Sequence, residues 1–202
     1  MKLYTTPTSP YGRIVRIVVA EKGLGDRIEV IAPRTRVPGS DYYAINPSGR
    51  VPFLVRGDGR GMEDSRDISL YLDRLCPPAS LHPDPCADGH AYGQLEARAR
   101  SLLDGLAVLV REQRRPATEQ SPSIIAHEQD RAARLADHWE EAIAHPLMQG
   151  AVNMAQITLA VALQMPIFYP VQDLTQGRAG LSAWLERMAQ HPSIAVTVPA
   201  RP

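Results

Sequence analysis

The stretch NPSGRVPFLV, residues 46–55, places a proline at the entry to an apolar strand. Proline is tolerated in a sheet only at an edge or where a strand begins, so Pro52 is expected to open the strand. The Val51-Pro52 bond is a candidate cis peptide, because cis prolines usually serve a tight local geometry. It would leave the backbone N–H and C=O of Val51 to pair with an extended peptide ligand. Taken alone, an ordinary loop proline explains this pair better.

Strand and helix signals alternate on both sides of this stretch. Strands are predicted at residues 2–5, 27–32, 52–56 and 61–63, with a hairpin turn between the last two. A helix should begin at Pro10 and end before Gly23. Its apolar face carries Ile14, Val15, Val18 and Val19, whereas Arg13 and Arg16 lie off that face. A second helix is predicted from the i, i+3, i+4, i+7 spacing of Ile68, Tyr71, Leu72 and Leu75.

The chain changes character after a proline-rich segment at residues 76–85. Beyond that segment, apolar residues recur at helical spacing in the four stretches 95–109, 132–143, 154–165 and 181–188. The third stretch is apolar all round and should be a buried central helix. Asn153 and Gln156 resemble a capping box at its start. We therefore predict a small βαβ–ββα lobe over residues 1–78 and an all-helical lobe over residues 86–202.

Two predicted helix N-termini carry residues that suit an anionic ligand. Ser9 stands at the first, where free backbone N–H groups and the helix dipole favour an anion and a hydroxyl can donate to a thiolate. At the second, Ser65 can help to hold a carboxylate while Asp64 holds an ammonium group. A ligand with an amino-acid head group needs both. Taken singly, each of these residues is also explained as a helix cap.

Composition narrows the functional classes. Lys plus Arg and Asp plus Glu each number 22, so the net charge is zero and nothing draws the chain to nucleic acid or to an anionic membrane. Cys76 and Cys86 are too few for a disulfide framework, and the N-terminus lacks the apolar core of a signal peptide. We expect a cytoplasmic protein. No metal is expected at His82, Cys86 and His90, because the prolines between them interrupt a helix.

Three motifs follow one another in order, namely TSPYGRIVR from residue 8, NPSGRVPFLV from residue 46 and EDSRDISLYLD from residue 63. Together with AGLSAWLERMAQHPSI at residues 179–194, this order resembles the cytosolic glutathione transferase family over nearly the whole chain. The bacterial serine-type branch, akin to the zeta and theta classes, is the most similar. The resemblance implies a thioredoxin-like lobe followed by a helical lobe, in a homodimer that serves detoxification.

The resemblance also implies a role for each motif residue. Ser9 would be the catalytic hydroxyl that stabilises the glutathione thiolate. Pro52 would be cis, with Val51 pairing its backbone to the cysteinyl part of glutathione. Asp64 and Ser65 would hold the γ-glutamyl end. Glutathione is thus the expected co-substrate, with no metal, and its thiolate would attack an electrophilic, apolar small molecule held between the lobes.

Other positions match the family less closely. Arg50 corresponds to a site that is often polar or basic near the glycyl carboxylate, and Arg34 and Arg36 are further candidates for that contact. The family's central helix usually begins with Ser or Thr followed three residues later by Asp, where this chain has Asn153 and Gln156. Both amides can cap a helix, but a neutral Gln lacks the charge that complements the helix dipole.

Several alternatives stay open at this point. Thr8 or Tyr11 could activate the thiol in place of Ser9. A disulfide exchanger is disfavoured because it needs a cysteine at the helix start, where Ser9 stands. The chain could instead be a glutathione- or protein-binding module with little catalysis. It could also use the same thiolate as an isomerase, peroxidase or dehalogenase.

Overall fold

The structure, a computed structural model, describes residues 1–77, 81–84 and 90–199. These residues form two compact units, the first containing residues 1–77 and 196–199 and the second residues 81–84 and 90–195. The predicted domain limits at residues 78, 86 and 202 lie outside the described residues and stay a prediction. No helix in the described part of the chain has the length and apolar character needed to cross a membrane.

The first unit is built on a sheet of strands β1 (Lys2–Tyr4), β2 (Glu29–Ile31), β3 (Phe53–Val55) and β4 (Gly61–Glu63). The strand order is β2-β1-β3-β4. β1 runs parallel to β2 and antiparallel to β3, and β3 runs antiparallel to β4. This is the predicted βαβ–ββα pattern, and each strand lies within or at its predicted limits.

The helices of the two units are as follows. In the first unit they are α1 (Pro10–Glu21), α2 (Tyr42–Ile45) and α3 (Ser65–Leu75). In the second they are α4 (Ala91–Gln113), α5 (Pro122–Ala142), α6 (Pro146–Gln149), α7 (Met154–Leu163), α8 (Ala179–Ala189) and α9 (Pro192–Ala195). The fold is therefore an α/β unit followed by a helical unit, which confirms the predicted fold class.

The two faces of the sheet have different cores because side chains alternate along each strand. Leu3 and Leu54 are paired across β1 and β3 and are fully buried. Tyr4 and Phe53, the next pair, point to the other face and form a cluster with Tyr42 of α2. The Tyr4 and Tyr42 rings lie 5.6 Å apart between centroids. Helix α2 therefore covers one face of the sheet. Periodicity in the local sequence did not predict this helix.

A buried ion pair ties α1 to α3. Lys22 Nζ lies 2.9 Å from Asp73 Oδ1, and the two side chains are 4% and 2% exposed. Lys22 follows the last residue of α1, and Asp73 is in the last turns of α3. A charge this deeply buried is tolerated only with an opposite charge beside it.

The second unit is organised around α7, every residue of which is buried. The capping box predicted at its start is confirmed. Asn153 Oδ1 accepts from the N–H groups of Ala155 and Gln156, and Gln156 Oε1 accepts from the N–H of Asn153. The Asn153 amide also donates to the carbonyl of Leu147, the second residue of α6, at 2.7 Å. The Asn153 side chain therefore caps α7 through its oxygen and holds α6 through its nitrogen.

We predict that Lys22→Met lowers the free energy of unfolding by about 3–5 kcal/mol, because it leaves the Asp73 carboxylate buried without this cation. Urea unfolding followed by circular dichroism measures the change. The double variant Lys22→Met/Asp73→Leu should recover much of the loss, since neither charge then remains. Arg60→Ala is the control: Arg60 is 80% exposed and 4.0 Å from Asp58, so its loss should cost less than about 1 kcal/mol. Equal losses in Lys22→Met and the control would refute a structural role for the pair.

Candidate functional site

One row of paired residues across the sheet determines where the candidate site lies. Tyr4 pairs with Phe53, and Phe53 pairs with Glu63. Tyr4 is the last residue of β1, Phe53 the first of β3 and Glu63 the last of β4, so all three face one end of the sheet. Neighbouring strands lie roughly 4.8 Å apart, which brings the segments that extend beyond this row close together.

Each predicted site residue lies on one of those segments. Pro52 comes immediately before Phe53, and Asp64 and Ser65 come immediately after Glu63. Ser9 lies on the turn that leads from β1 into α1. The row therefore brings together three motifs, the first and last of which are more than fifty positions apart in the sequence.

Ser9 is the N-cap of α1. Its Oγ accepts a hydrogen bond from the Gly12 N–H at 3.1 Å, and its backbone is extended as a cap requires. The side chain is partly exposed. The cap uses Ser9 Oγ as an acceptor and leaves the hydroxyl proton without an acceptor among the residues that the structure describes. Ser9 can therefore cap the helix and donate to an anion at the same time.

Gly12 allows the start of α1 to lie against the end of β1. A Cβ at this position would lie 2.9 Å from Thr5 Cβ and overlap the Thr5 hydroxyl. Thr5 is itself 3% exposed. Any side chain at residue 12 would push Ser9 and its helix away from the sheet.

The Val51-Pro52 peptide bond is cis. Pro52 is buried and Val51 is half-buried. Within the described residues, neither the N–H nor the carbonyl of Val51 has a hydrogen-bond partner. A pair of backbone groups left open at a sheet end can accept an extended peptide in the manner of an added strand. The Arg50 side chain beside them is exposed.

The loop that leads to Val51 is organised by two residues to which sequence analysis assigned no role. Tyr42 is 4% exposed and Asn46 is 2% exposed. The Tyr42 hydroxyl donates to the Arg50 carbonyl at 2.6 Å, and Asn46 Nδ2 donates to the same oxygen at 2.9 Å. Burial raises the pKa of the Tyr42 phenol, so it stays a proton donor at neutral pH.

Ser48 connects this loop to the third segment. Its hydroxyl donates to Glu63 Oε2 at 2.6 Å, next to the start of α3. Asn46 Oδ1 accepts from the Ser48 N–H at 3.2 Å, which holds the turn. Gly49 completes the turn with a φ of +64°, and a Cβ there would lie 2.7 Å from the Tyr43 ring. Only glycine both adopts this backbone angle readily and fits in the space beside the Tyr43 ring.

Asp64 and Ser65 form the N-terminus of α3. Asp64 Oδ1 accepts from the Arg66 N–H at 2.8 Å, and Ser65, the first residue of the helix, is 3% exposed. Asp64 has a φ of +72°, a conformation that costs a non-glycine residue roughly 1–3 kcal/mol. Backbone strain of this kind is concentrated at binding sites, where it fixes the direction of a side chain.

Arg13 differs from expectation. The amphipathic pattern placed it off the apolar face of α1, yet it is 3% exposed. Burial and the charge of Arg16 lower the pKa of Arg13 to about 10, so it is still a cation at neutral pH. Its backbone N–H donates to the Ser9 carbonyl at 2.8 Å, one helical turn along. Arg13 is therefore a buried cation within α1 rather than part of an exposed polar face.

No cluster of His, Cys, Asp and Glu suited to a metal ion occurs in residues 1–77, 81–84 and 90–199. Cys86, one member of the metal site considered above, lies outside the described residues. Arg34 and Arg36 are exposed on the loop after β2.

Comparison with known proteins agrees with this geometry. Residues 8–75 match the family model described as the glutathione S-transferase N-terminal domain. The chain is 33% identical over 165 residues to the uncharacterized GST-like protein YibF of Escherichia coli K12, covering 81% of this chain and 80% of that protein.

Two solved structures illustrate the similarity in fold. A glutathione S-transferase from Methylobacillus flagellatus KT, with GSH bound, has a TM-score of 0.88 at 28% identity and covers 98% of this chain and 99% of its own. A glutathione transferase family member from Pseudomonas fluorescens Pf-5, with bound glutathione, has a TM-score of 0.87 at 29% identity and covers 98% of both chains.

The chain belongs to the glutathione S-transferase family. Its first unit is a thioredoxin-like domain, and its second is the helical domain that follows it in this family. The resemblance inferred from the three motifs is thereby confirmed.

We predict that Gly12→Ala destabilises the first unit by about 1–3 kcal/mol, because the new methyl group collides with Thr5. Thermal unfolding followed by circular dichroism measures the loss. Gly25→Ala is the matched control, since a Cβ at Gly25 meets no atom within 4 Å and alanine restricts the unfolded chain. If Gly12→Ala proved as stable as Gly25→Ala, the close approach of α1 to β1 would be wrong.

Proposed function

We propose that this protein is a glutathione transferase that binds glutathione at the end of the sheet and stabilises its thiolate with the Ser9 hydroxyl. The thiolate then attacks an electrophilic, apolar small molecule. The observation that carries the proposal is the row Tyr4–Phe53–Glu63, which brings Ser9, Val51 and Ser65 to one sheet end. Bound glutathione in the two solved relatives supports the choice of tripeptide.

The γ-glutamyl group is assigned to the start of α3. Its carboxylate accepts from the hydroxyl and the backbone N–H of Ser65 at the start of the helix, where the helix dipole favours an anion. Its ammonium group lies against the Asp64 carboxylate, whose direction is set by the cap to Arg66 and the strained backbone. One charge-assisted contact to the carboxylate and another to the ammonium group make this subsite specific for an amino-acid head group.

The cysteinyl residue is assigned to the bend at Val51. An extended peptide there receives a hydrogen bond from the Val51 N–H and donates one to the Val51 carbonyl, both of which lack other partners in the described part of the protein. This pairing directs the cysteine side chain toward Ser9. Arg50, exposed on the same loop, is assigned to the glycyl carboxylate.

Thiolate stabilisation is assigned to Ser9 as a hydrogen-bond donor that need not ionise. A thiol is mostly protonated at neutral pH, and the thiolate is the nucleophile. The positive end of the α1 dipole adds to the field that favours the anion. A hydrogen bond to a charged acceptor contributes about 1.5–3 kcal/mol, which corresponds to about one to two pKa units of the thiol.

The proposal also covers the branch, cellular location, oligomeric state and role of the enzyme. The motif pattern around Ser9 supports the serine-type branch, and the low cysteine content supports a cytoplasmic location. The homodimer and the role in detoxification are proposed from the resemblance to the family alone.

We predict that Ser9→Ala lowers the rate of conjugation to an aromatic halide by about 10- to 150-fold at saturating glutathione, because the donor to the thiolate is lost. Calorimetry should show glutathione affinity within about threefold of the wild type, since the γ-glutamyl and backbone contacts remain.

Ser9→Ala also removes a helix cap, and two further variants separate that effect from the loss of the donor and test the neighbouring hydroxyl. Ser9→Thr keeps both the cap and the donor and should retain most of the rate. Thr8→Ala removes the neighbouring hydroxyl and should leave turnover near the wild-type value. Full activity in Ser9→Ala combined with a large loss in Thr8→Ala or Tyr11→Phe would assign the role to that residue instead. Glutathione binding without any turnover in the wild type would favour a binding module.

A further inference from the structure

The carbonyl oxygen of Arg50 receives two buried hydrogen bonds. The donors are the Tyr42 hydroxyl at 2.6 Å and Asn46 Nδ2 at 2.9 Å, and both side chains are less than 5% exposed. The two donors together occupy both lone pairs of this carbonyl oxygen. The second donor fixes the direction of the carbonyl as well as satisfying it.

Fixing this carbonyl also fixes the next N–H. The peptide bond between Arg50 and Val51 is trans, so its carbonyl and its N–H lie in one plane and point in opposite directions. The carbonyl points into the protein toward Tyr42 and Asn46. The Val51 N–H therefore points away from them, where it has no partner among the described residues.

We propose that Tyr42 and Asn46 are positioning residues that aim the Val51 N–H at the cysteinyl carbonyl of glutathione. This inference rests on the proposed function and adds two residues to it. Neither residue touches the tripeptide. They act by preventing rotation of the Arg50–Val51 peptide plane. The loop then loses no conformational entropy when the Val51 N–H binds the ligand.

The surrounding contacts hold the two donors in place. Asn46 Oδ1 accepts from the Ser48 N–H, which prevents the amide from turning its donor away from Arg50. The Tyr42 ring packs against Tyr4 and Phe53 on the sheet, so its hydroxyl has one direction available. Through Ser48 and Glu63 the same network reaches the start of α3, where the γ-glutamyl subsite begins.

The sharpest test removes one hydroxyl and keeps the packing. Tyr42→Phe retains the ring in its cluster but loses one donor to the Arg50 carbonyl. Tyr43→Phe is the matched control, because Tyr43 is the next residue and is half-buried, and its hydroxyl has no partner within the described ranges. Both variants are assayed for glutathione Kd by calorimetry and for KM and kcat in the conjugation reaction.

We expect Tyr42→Phe to raise the glutathione Kd and KM about three- to tenfold, the loss associated with one weakened hydrogen bond to the ligand. The kcat at saturating glutathione should stay within about twofold, because the contact is made equally in the ground state and the transition state. Tyr43→Phe should match the wild type in all three constants.

A second variant tests the other donor to the Arg50 carbonyl. Asn46→Asp keeps the acceptor for the Ser48 N–H but replaces the donor with a carboxylate oxygen that repels the Arg50 carbonyl. It should raise Kd more than Tyr42→Phe does.

The outcomes separate this inference from the proposed function. Wild-type protein that binds no glutathione overturns both. If the wild type binds glutathione and Tyr42→Phe and Asn46→Asp both show the Kd and KM of Tyr43→Phe, the positioning role alone is overturned. A fall in kcat with unchanged Kd would also overturn it, because it would place the effect on the chemical step.

Discussion

The register of three short strands is the constraint on which the rest of the structure depends. Pairing of Tyr4 with Phe53 and of Phe53 with Glu63 sets which backbone atoms come together at the sheet end. A slip of one residue would move Leu54 to the face on which Phe53 packs and Phe53 to the face on which Leu54 packs, so the two different cores enforce the register. The position of the site is therefore a consequence of how the sheet packs.

In the proposed function, recognition of glutathione depends largely on backbone groups, which every residue carries. The proposed contacts are the Val51 backbone, the N–H groups at the start of α3 and the dipole of α1. Side chains matter most where they direct those groups: Asn46 and Tyr42 at one peptide plane, and Gly12 by letting a helix approach a strand. In this chain the residues that hold the backbone are thus as important to the proposed binding as those that touch the ligand.

The sequence predicted those features that have a local cause. Period-two alternation located β2, and helical spacing of apolar residues located α1 and α3. The run of apolar residues located α7, and its Asn153 cap was visible from two residues. The features that it missed are set by tertiary contacts. Arg13 has the sequence position of a polar-face residue but is buried, and α2 is too short for a periodic signal. Asn46 lay inside a recognised motif, but its partner at Arg50 follows from a turn that only the structure shows.

Thiolate stabilisation at the start of α1 is the central claim, and the titration of bound glutathione tests it most directly. The ultraviolet absorbance of the thiolate, followed against pH in the complex, gives the pKa of the bound thiol. The account predicts a midpoint about one to two pH units below that of free glutathione, the shift expected from a charge-assisted hydrogen bond. A bound thiol that titrates at the same pH as the free tripeptide would contradict it.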